Sequence, residues 1–256
     1  MTPTPAQFVW YELTTTDSAA AGAFYNGVIG WERRDSGMPG VSYTLFSAAG
    51  RDVGGMMEIS AEMRDAGVCP AWTGYVHVDD VDRAAESFRS HGGHVRREPG
   101  DIPGVGRFAV VADPHGAVIT LFKSEGPGEG PPPQGTIGHV GWRELLAGDL
   151  DQAFGFYNSE FGWQKGEAVD MGAMGVYQLF TAGADAIGGM MTKPAAVPAP
   201  FWLYYFQVDG IDAAAARVTA GGGTIANGPH QVPGGSWIVH CRDPEGVMFA
   251  LVAAGR

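Results

Sequence analysis

Two carboxylates occupy positions suited to acid–base chemistry. Glu12 and Glu144 each interrupt a largely apolar stretch, Trp10-Tyr11-Glu12-Leu13 and Trp142-Arg143-Glu144-Leu145. A carboxylate so flanked on a covered strand has two uses. It can accept hydrogen bonds from backbone or tyrosine groups and hold the strand in place, since burial without partners is costly. It can also orient a ligand or take its proton, with a pKa raised by apolar walls. His77 is the next candidate base, because imidazole exchanges a proton near neutral pH; its counterpart later in the chain, Gln207, cannot. Arg107 could clamp a ligand carboxylate or phosphate, or make a surface salt bridge, and its counterpart is Trp237.

These counterparts belong to a repeat. Trp10, Glu12, Phe24-Tyr25 and Gly30-Trp31 return as Trp142, Glu144, Phe156-Tyr157 and Gly162-Trp163, all at an offset of 132 residues. Further on, Tyr43-Thr44-Leu45-Phe46 matches Tyr177-Gln178-Leu179-Phe180, and Gly54-Gly55-Met56-Met57 matches Gly188-Gly189-Met190-Met191. Asp113-Pro114-His115-Gly116 matches Asp243-Pro244-Glu245-Gly246. The chain is a duplication, with domains expected at residues 6–124 and 137–254. Residues 125–136, rich in Gly and Pro, are expected to form the linker.

Phe8 to Thr14 alternates like a strand. Thr16-Asp17-Ser18 can cap a helix whose Ala20, Ala21, Phe24, Tyr25 and Val28 share one face and which ends at Gly30. Arg33 to Gly40 reads as a loop, then Tyr43–Ser47 and Val53–Ile59 as strands. Trp72 begins the pattern again: strand, helix from Asp80 through Ser90, then strands near 94–97, 107–112 and 118–122. Each half thus holds two strand-helix-three-strand units, an α+β arrangement with four βαβββ units in all.

Composition narrows the function classes. Acidic residues outnumber basic ones, 28 to 16, for a net charge of −12. That argues against nucleic acid and anionic membranes as partners. The sequence has no run of eighteen apolar residues and no leader-like start, so a soluble, cytoplasmic protein is expected. Cys69 and Cys241 fall at unmatched positions without zinc spacing; both are expected to be reduced thiols packed as small apolar groups.

Four βαβββ units with a capped helix ending in Phe-Tyr, a following Gly-Trp, and Asp-Pro-x-Gly before the last strand resemble the vicinal oxygen chelate superfamily. Its members include glyoxalase I, bleomycin and fosfomycin resistance proteins, and extradiol dioxygenases. The W-x-E-L opening and tandem arrangement look like two-domain glyoxalase-like proteins of bacteria. The resemblance implies curled mixed sheets with outer helices. In metal-using relatives it implies a strand His seven residues before the capping Asp, a second His, and two Glu. Here the first position holds Trp10 and Trp142, the second Thr73 and Leu203, and the Glu four residues after the turn Gly is Thr120 and Ala250. The remaining Glu falls in the Gly-Gly-Met-Met stretches. These side chains do not normally bind a hard divalent ion, so no metal and no other cofactor is expected. His139 lies three residues from the ligand position, and an odd shift turns it to the other face. His91, His94, His115 and His230 read as surface residues.

If the sheets curl as in the family, Trp10, Glu12 and Thr14 line one cup, with Thr73, Tyr75 and His77. Trp142, Glu144 and Leu146 line the other, with Leu203, Tyr205 and Gln207. Tyr43, Met57, Tyr177 and Met191 are lining by family position. Short connections leave open whether a cup is built within one domain or from units of both. The first expectation is a metal-independent protein binding a small aromatic or apolar molecule, as a monomer or homodimer. A glyoxalase- or lyase-type enzyme using Glu12, Glu144 or His77 as base is the alternative, and a non-catalytic interaction protein is the third.

Overall fold

The structure, a computed structural model, describes residues 5–38, 40–127, 130 and 132–256. The first half opens with β1 (Phe8–Thr15), α1 (Ser18–Ile29), β2 (Glu32–Asp35), β3 (Tyr43–Ala48) and β4 (Arg51–Glu58), then a short α2 (Ala61–Asp65). It continues with β5 (Ala71–His77), α3 (Val81–Ser90), β6 (His94–Ile102), β7 (Gly106–Ala112) and β8 (Val118–Ser124). In the second half β9 (Val140–Ala147), α4 (Leu150–Phe161), β10 (Gln164–Asp170), β11 (Val176–Thr181) and β12 (Ala186–Thr192) form the third unit. The fourth is β13 (Phe201–Gln207), α5 (Ile211–Ala220), β14 (Thr224–Gln231), β15 (Trp237–Arg242) and β16 (Met248–Ala253).

Each half forms one open eight-stranded mixed sheet, in the orders β2-β3-β4-β1-β5-β8-β7-β6 and β10-β11-β12-β9-β13-β16-β15-β14. Within each unit the first and last strands pair in parallel and the others antiparallel. The sheets therefore keep to the sequence halves. Among the described residues no helix is long and apolar enough to cross a membrane.

The repeated helices form for the reasons their sequences give. Asp17 accepts from the Ala20 amide and Asp149 from the Gln152 amide, both at 2.9 Å, satisfying first-turn donors. Gly30 and Gly162 end the helices at φ 88° and 71°, left-handed values at which any side chain would be strained. Two expectations need correction. Part of the loop expected at 33–40 is β2, whose Glu-Arg-Arg-Asp sequence is exposed throughout and therefore carries no apolar alternation. The helix α2 went unseen because it buries nothing; Ser60 caps it by accepting from the Met63 amide.

Tertiary contacts divide the chain into two compact units that cut across the halves. One contains the described residues of Met1–Val9, Thr73–Pro131 and Arg143–Trp202; the other contains Trp10–Trp72, Pro132–Trp142 and Leu203–Arg256. The core of the second unit is aromatic: Trp31 stacks near Tyr25, and Trp72 and Phe206 lie 4.9 Å apart by ring centroid. The first unit packs Tyr157, Phe161, Trp163 and Trp202 in the same manner. Buried rings of this size contribute about 3 kcal/mol or more each relative to alanine.

A buried hydrogen-bond chain runs through each core and explains three of the repeated motifs at once. In the second unit Trp72 Nε1 donates to the Tyr25 hydroxyl at 2.9 Å, and that hydroxyl donates to Asp243 Oδ2 at 3.1 Å. The other oxygen of Asp243 accepts from the amides of Glu245 and Val247, closing the Asp-Pro-x-Gly turn. In the first unit Trp202, Tyr157 and Asp113 make the same chain at 3.1 and 3.4 Å. The helix and the turn that it joins come from different halves, so each compact unit is fastened across the duplication.

Cysteine placement departs from expectation at one site. Cys241 is buried, which pushes its thiol up to about 12, but Cys69 is exposed.

Candidate functional site

The alternation of β1 divides its side chains cleanly. Tyr11, Leu13 and Thr15 are buried, whereas Trp10, Glu12 and Thr14 are half-buried on the opposite face. Tyr43, on β3, lies across β4 to reach that face. Trp10 Nε1 donates to the Tyr43 hydroxyl at 3.0 Å, and the same hydroxyl is bonded to Glu12. Burial, then the charge of Glu12, hold the phenol well above its usual pKa, so it stays protonated and donates to the carboxylate.

Gly55 makes this reach possible. It pairs with Glu12 on one side and Leu45 on the other, and a Cβ there would stand 2.1 Å from the Tyr43 hydroxyl. The phenol ring occupies the space a side chain would fill. In the first unit Tyr177 covers Gly189 in the same way, with a Cβ–ring separation of 2.2 Å, and donates to Glu144 Oε2 at 3.0 Å. Glu144 is 7% exposed and pairs with Gly189 in register. In sequence the Gly-Gly stretch marks only a lost ligand position. The usable signal was that Tyr and Gly stand twelve residues apart in both halves.

The other expected residues fall as follows. Thr14 donates weakly to the carbonyls of Ala71 and Cys69, and Met57 pairs in register with both Thr14 and Tyr43. Met191 is buried opposite Leu146, and Trp142 is half-buried on β9. On β5, Thr73 and His77 are half-buried; Tyr75 is buried with its ring edge-on to Phe122 at 5.8 Å. His77 Nε2 lies 3.8 Å from the exposed Asp79 carboxylate. Arg107 has its guanidinium bound by both oxygens of Asp82, at 2.7 and 2.8 Å, and by Asp101 at 2.8 Å. These carboxylates raise its pKa further, and its donors are committed to its own unit. Tyr205 is bonded to His240, a residue that the sequence reading passed over. Gln207 packs against Gly141, where a Cβ would touch its amide oxygen at 3.0 Å. His139 is half-buried; burial and Arg51 hold its imidazole below the usual range. An open depression of about 330 Å³ is lined by Ser18, Ala19, Arg33, Arg34, Asp35 and Thr44, none of them expected from sequence.

A sequence model described as the Glyoxalase/Bleomycin resistance protein/Dioxygenase superfamily matches residues 7–121 and again 136–251. The chain belongs to this superfamily. Among its relatives is a Mycobacterium tuberculosis protein named "Putative glyoxylase CFP32", 31% identical over 95% of this chain and 93% of that one. Another is the anthracycline biosynthesis protein DnrV of Streptomyces peucetius, 32% identical over 97% and 93%. The crystal structure of the Mn(II)-bound glyoxalase from Novosphingobium aromaticivorans shares the fold, with a TM-score of 0.63, 17% identity, and coverage of 98% of this chain and 82% of that one.

Metal use in the superfamily raises the question whether a divalent ion fits here. Among the described residues no three His, Cys, Asp or Glu side chains cluster. The positions at which the resemblance places metal ligands hold the indoles of Trp10 and Trp142, the hydroxyls of Thr73 and Thr120, the alkyl groups of Leu203 and Ala250, and Gly-Gly-Met-Met stretches in which a phenol lies over the second glycine. This donor set does not fit a divalent cation.

Proposed function

We propose that this superfamily member binds a small, flat, oxygen-bearing aromatic molecule against the half-buried faces of its sheets, without a metal. The observation that carries the reading is the paired replacement. Where metal-using members hold a first-strand imidazole, this chain holds Trp10 and Trp142. In the stretches that replace the remaining Glu a tyrosine lies over a glycine, Tyr43 over Gly55 with Trp10 bonded to its hydroxyl and Tyr177 over Gly189. Aromatic walls with a few convergent polar groups suit such ligands. The naming of DnrV for anthracycline biosynthesis supports the same class, since anthracyclines are fused aromatic rings bearing hydroxyl and quinone oxygens.

Two measurements test this reading. Elemental analysis of the purified protein is expected to find less than stoichiometric zinc, iron, nickel and manganese. Titration with 1,8-dihydroxyanthraquinone is expected to quench tryptophan fluorescence with saturation, less so in Trp10→Phe. A stoichiometric metal bound through this chain's own side chains, or a flat titration, would overturn the proposal.

A catalytic reading is favoured by one feature, the phenol that donates to each carboxylate. A carboxylate that accepts from a phenol places a base beside an acid. If this pair turns over hemithioacetals or related α-hydroxy carbonyl compounds, Glu12→Gln or Glu144→Gln should lower kcat at least tenfold; unchanged turnover in both variants removes them as bases.

A further inference from the structure

The second half carries a side-chain pair that the first half lacks. Tyr205 on β13 and His240 on β15 both pair in register with Ala250 on β16, one from each side. Residues paired across adjacent strands point to the same face. Between them stands only a methyl group, and the phenol oxygen meets His240 Nε2 at 2.8 Å, the rings edge-on.

The face they occupy is mixed, with Leu203, Tyr205 and Ala250 buried and Gln207, Ile238, His240 and Val252 half-buried. Tyr204, Phe206, Val239, Cys241 and Leu251, alternating with them, are all essentially inaccessible and pack beneath the sheet. On the opposite face Tyr205 is 2% exposed while His240 and Gln207 are half-buried. The pair thus has an anchored member and an accessible one.

The fold does not require it. In the first half the register places Tyr75 beside Thr120 and Val110 across from it, so valine stands where the second half has histidine. The three-strand frame is the same with or without the imidazole. A half-buried histidine held in this way by a buried tyrosine, and dispensable to the architecture, is suited to recognition.

We propose that His240 is a hydrogen-bonding contact for a ligand oxygen, a phenol, enol or quinone carbonyl, and that Tyr205 is its positioning residue. The proposal rests on the aromatic-ligand reading given above and adds which half discriminates between ligands, and by what group. Of a neutral tyrosine–imidazole pair the phenol O–H is the more acidic donor, and Nε2 accepts from it when that nitrogen carries no proton. Tyr205 then donates to Nε2, the ring proton resides on Nδ1, and a single tautomer faces the ligand. The first half, with Val110, offers no such donor and differs in preference accordingly.

The experiment is nitrogen-15 NMR of the imidazole side chains in the full-length protein, free and with 1,8-dihydroxyanthraquinone, for wild type, Tyr205→Phe and His240→Val. In the free wild type, His240 is expected as the Nδ1-protonated tautomer. Tyr205→Phe is expected to give a tautomer mixture without unfolding, a change that loss of packing alone would not produce. On addition of the probe the His240 signals are expected to move, and His240→Val should weaken binding about tenfold, the loss of one hydrogen bond. Since His240→Val reproduces the valine of the first half, it is compatible with the fold. Probe binding that quenches tryptophan fluorescence but leaves His240 unmoved overturns this proposal and leaves the aromatic-ligand reading standing. No binding by any variant overturns both, and an Nε2-protonated His240 in the free protein overturns the role given to Tyr205.

Discussion

The two compact units are built from the same parts, and comparing them separates what the fold needs from what it tolerates. The Trp-Tyr-Asp chain is present in both, as Trp72-Tyr25-Asp243 and Trp202-Tyr157-Asp113. So is a tyrosine lying over a glycine to reach a glutamate. At the turn residue the copies part. Glu245 accepts from the hydroxyls of Thr15 and Thr16 and from the Thr16 amide, whereas its counterpart His115 lies against Gly148, where a Cβ would stand 2.6 Å from the ring. One junction is fastened by a carboxylate on three donors, the other by a ring on a bare backbone. Shared features hold the architecture; divergent ones show where sequence was free to change.

The sharpest way to break the comparison is to fill the glycines. A Cβ on Gly188 would lie 2.2 Å from the Arg143 carbonyl oxygen and 2.4 Å from the Phe180 ring, so paired strands must separate. Gly188→Ala is expected to destabilise by roughly 3 kcal/mol or more, read from urea unfolding. Gly55→Ala meets first the Tyr43 side chain, which can swing aside at the loss of its bonds to Trp10 and Glu12. Its cost should be about 1–3 kcal/mol, and Tyr43→Ala in the same chain should recover part of it. Strict additivity of the two substitutions would mean that the ring does not occupy that space.

Much of this was legible beforehand because duplication doubles every signal. The four units, the helix caps and the paired glutamates could be read from spacing alone. The tyrosine over glycine could not, because it depends on a side chain crossing one strand to reach a second, and a glycine gives no sign of what fills its place. His240 escaped for the opposite reason: comparison between halves draws the eye to residues present twice, and its counterpart is Val110. Strand β2 lacked apolar residues at an exposed edge, so periodicity had nothing to register. The cross-half chain needed coordinates, since no local rule brings Tyr25 to Asp243, 218 residues away.

Removing one hydroxyl from each unit sharpens the comparison at lower cost. Tyr25→Phe leaves the Trp72 indole and the buried Asp243 without their shared partner, and should destabilise by about 2 kcal/mol. Tyr157→Phe breaks a longer contact to its aspartate, 3.4 Å against 3.1 Å, and should cost about 1 kcal/mol. A larger loss from Tyr157→Phe would show that the two chains are not ranked by their carboxylate bonds.

The smallest expected effect is a pH dependence carried by Asp243. Burial holds its carboxyl above the usual aspartate range, against the lowering effect of the turn amides and Tyr25. Below that raised pKa the folded chain binds a proton that the unfolded chain does not yet hold, so this group's contribution to stability rises as pH falls. The gain is complete once pH drops below the ordinary aspartate value, and above the raised pKa the buried charge costs stability. Glu58 and Asp209 run the other way, their pKa values lowered by hydrogen bonds from Ser18 and Arg217, and both lose stability on acidification. The comparison of wild type with Asp243→Asn cancels those terms, because both proteins carry Glu58 and Asp209, and Asn retains an oxygen for the Glu245 and Val247 amides. Wild type should gain on Asp243→Asn between pH 7 and pH 4 in paired urea titrations. A difference that shrinks over that range would mean that the turn amides and Tyr25 outweigh burial, and one that stays flat would mean that they balance it; either result overturns the prediction.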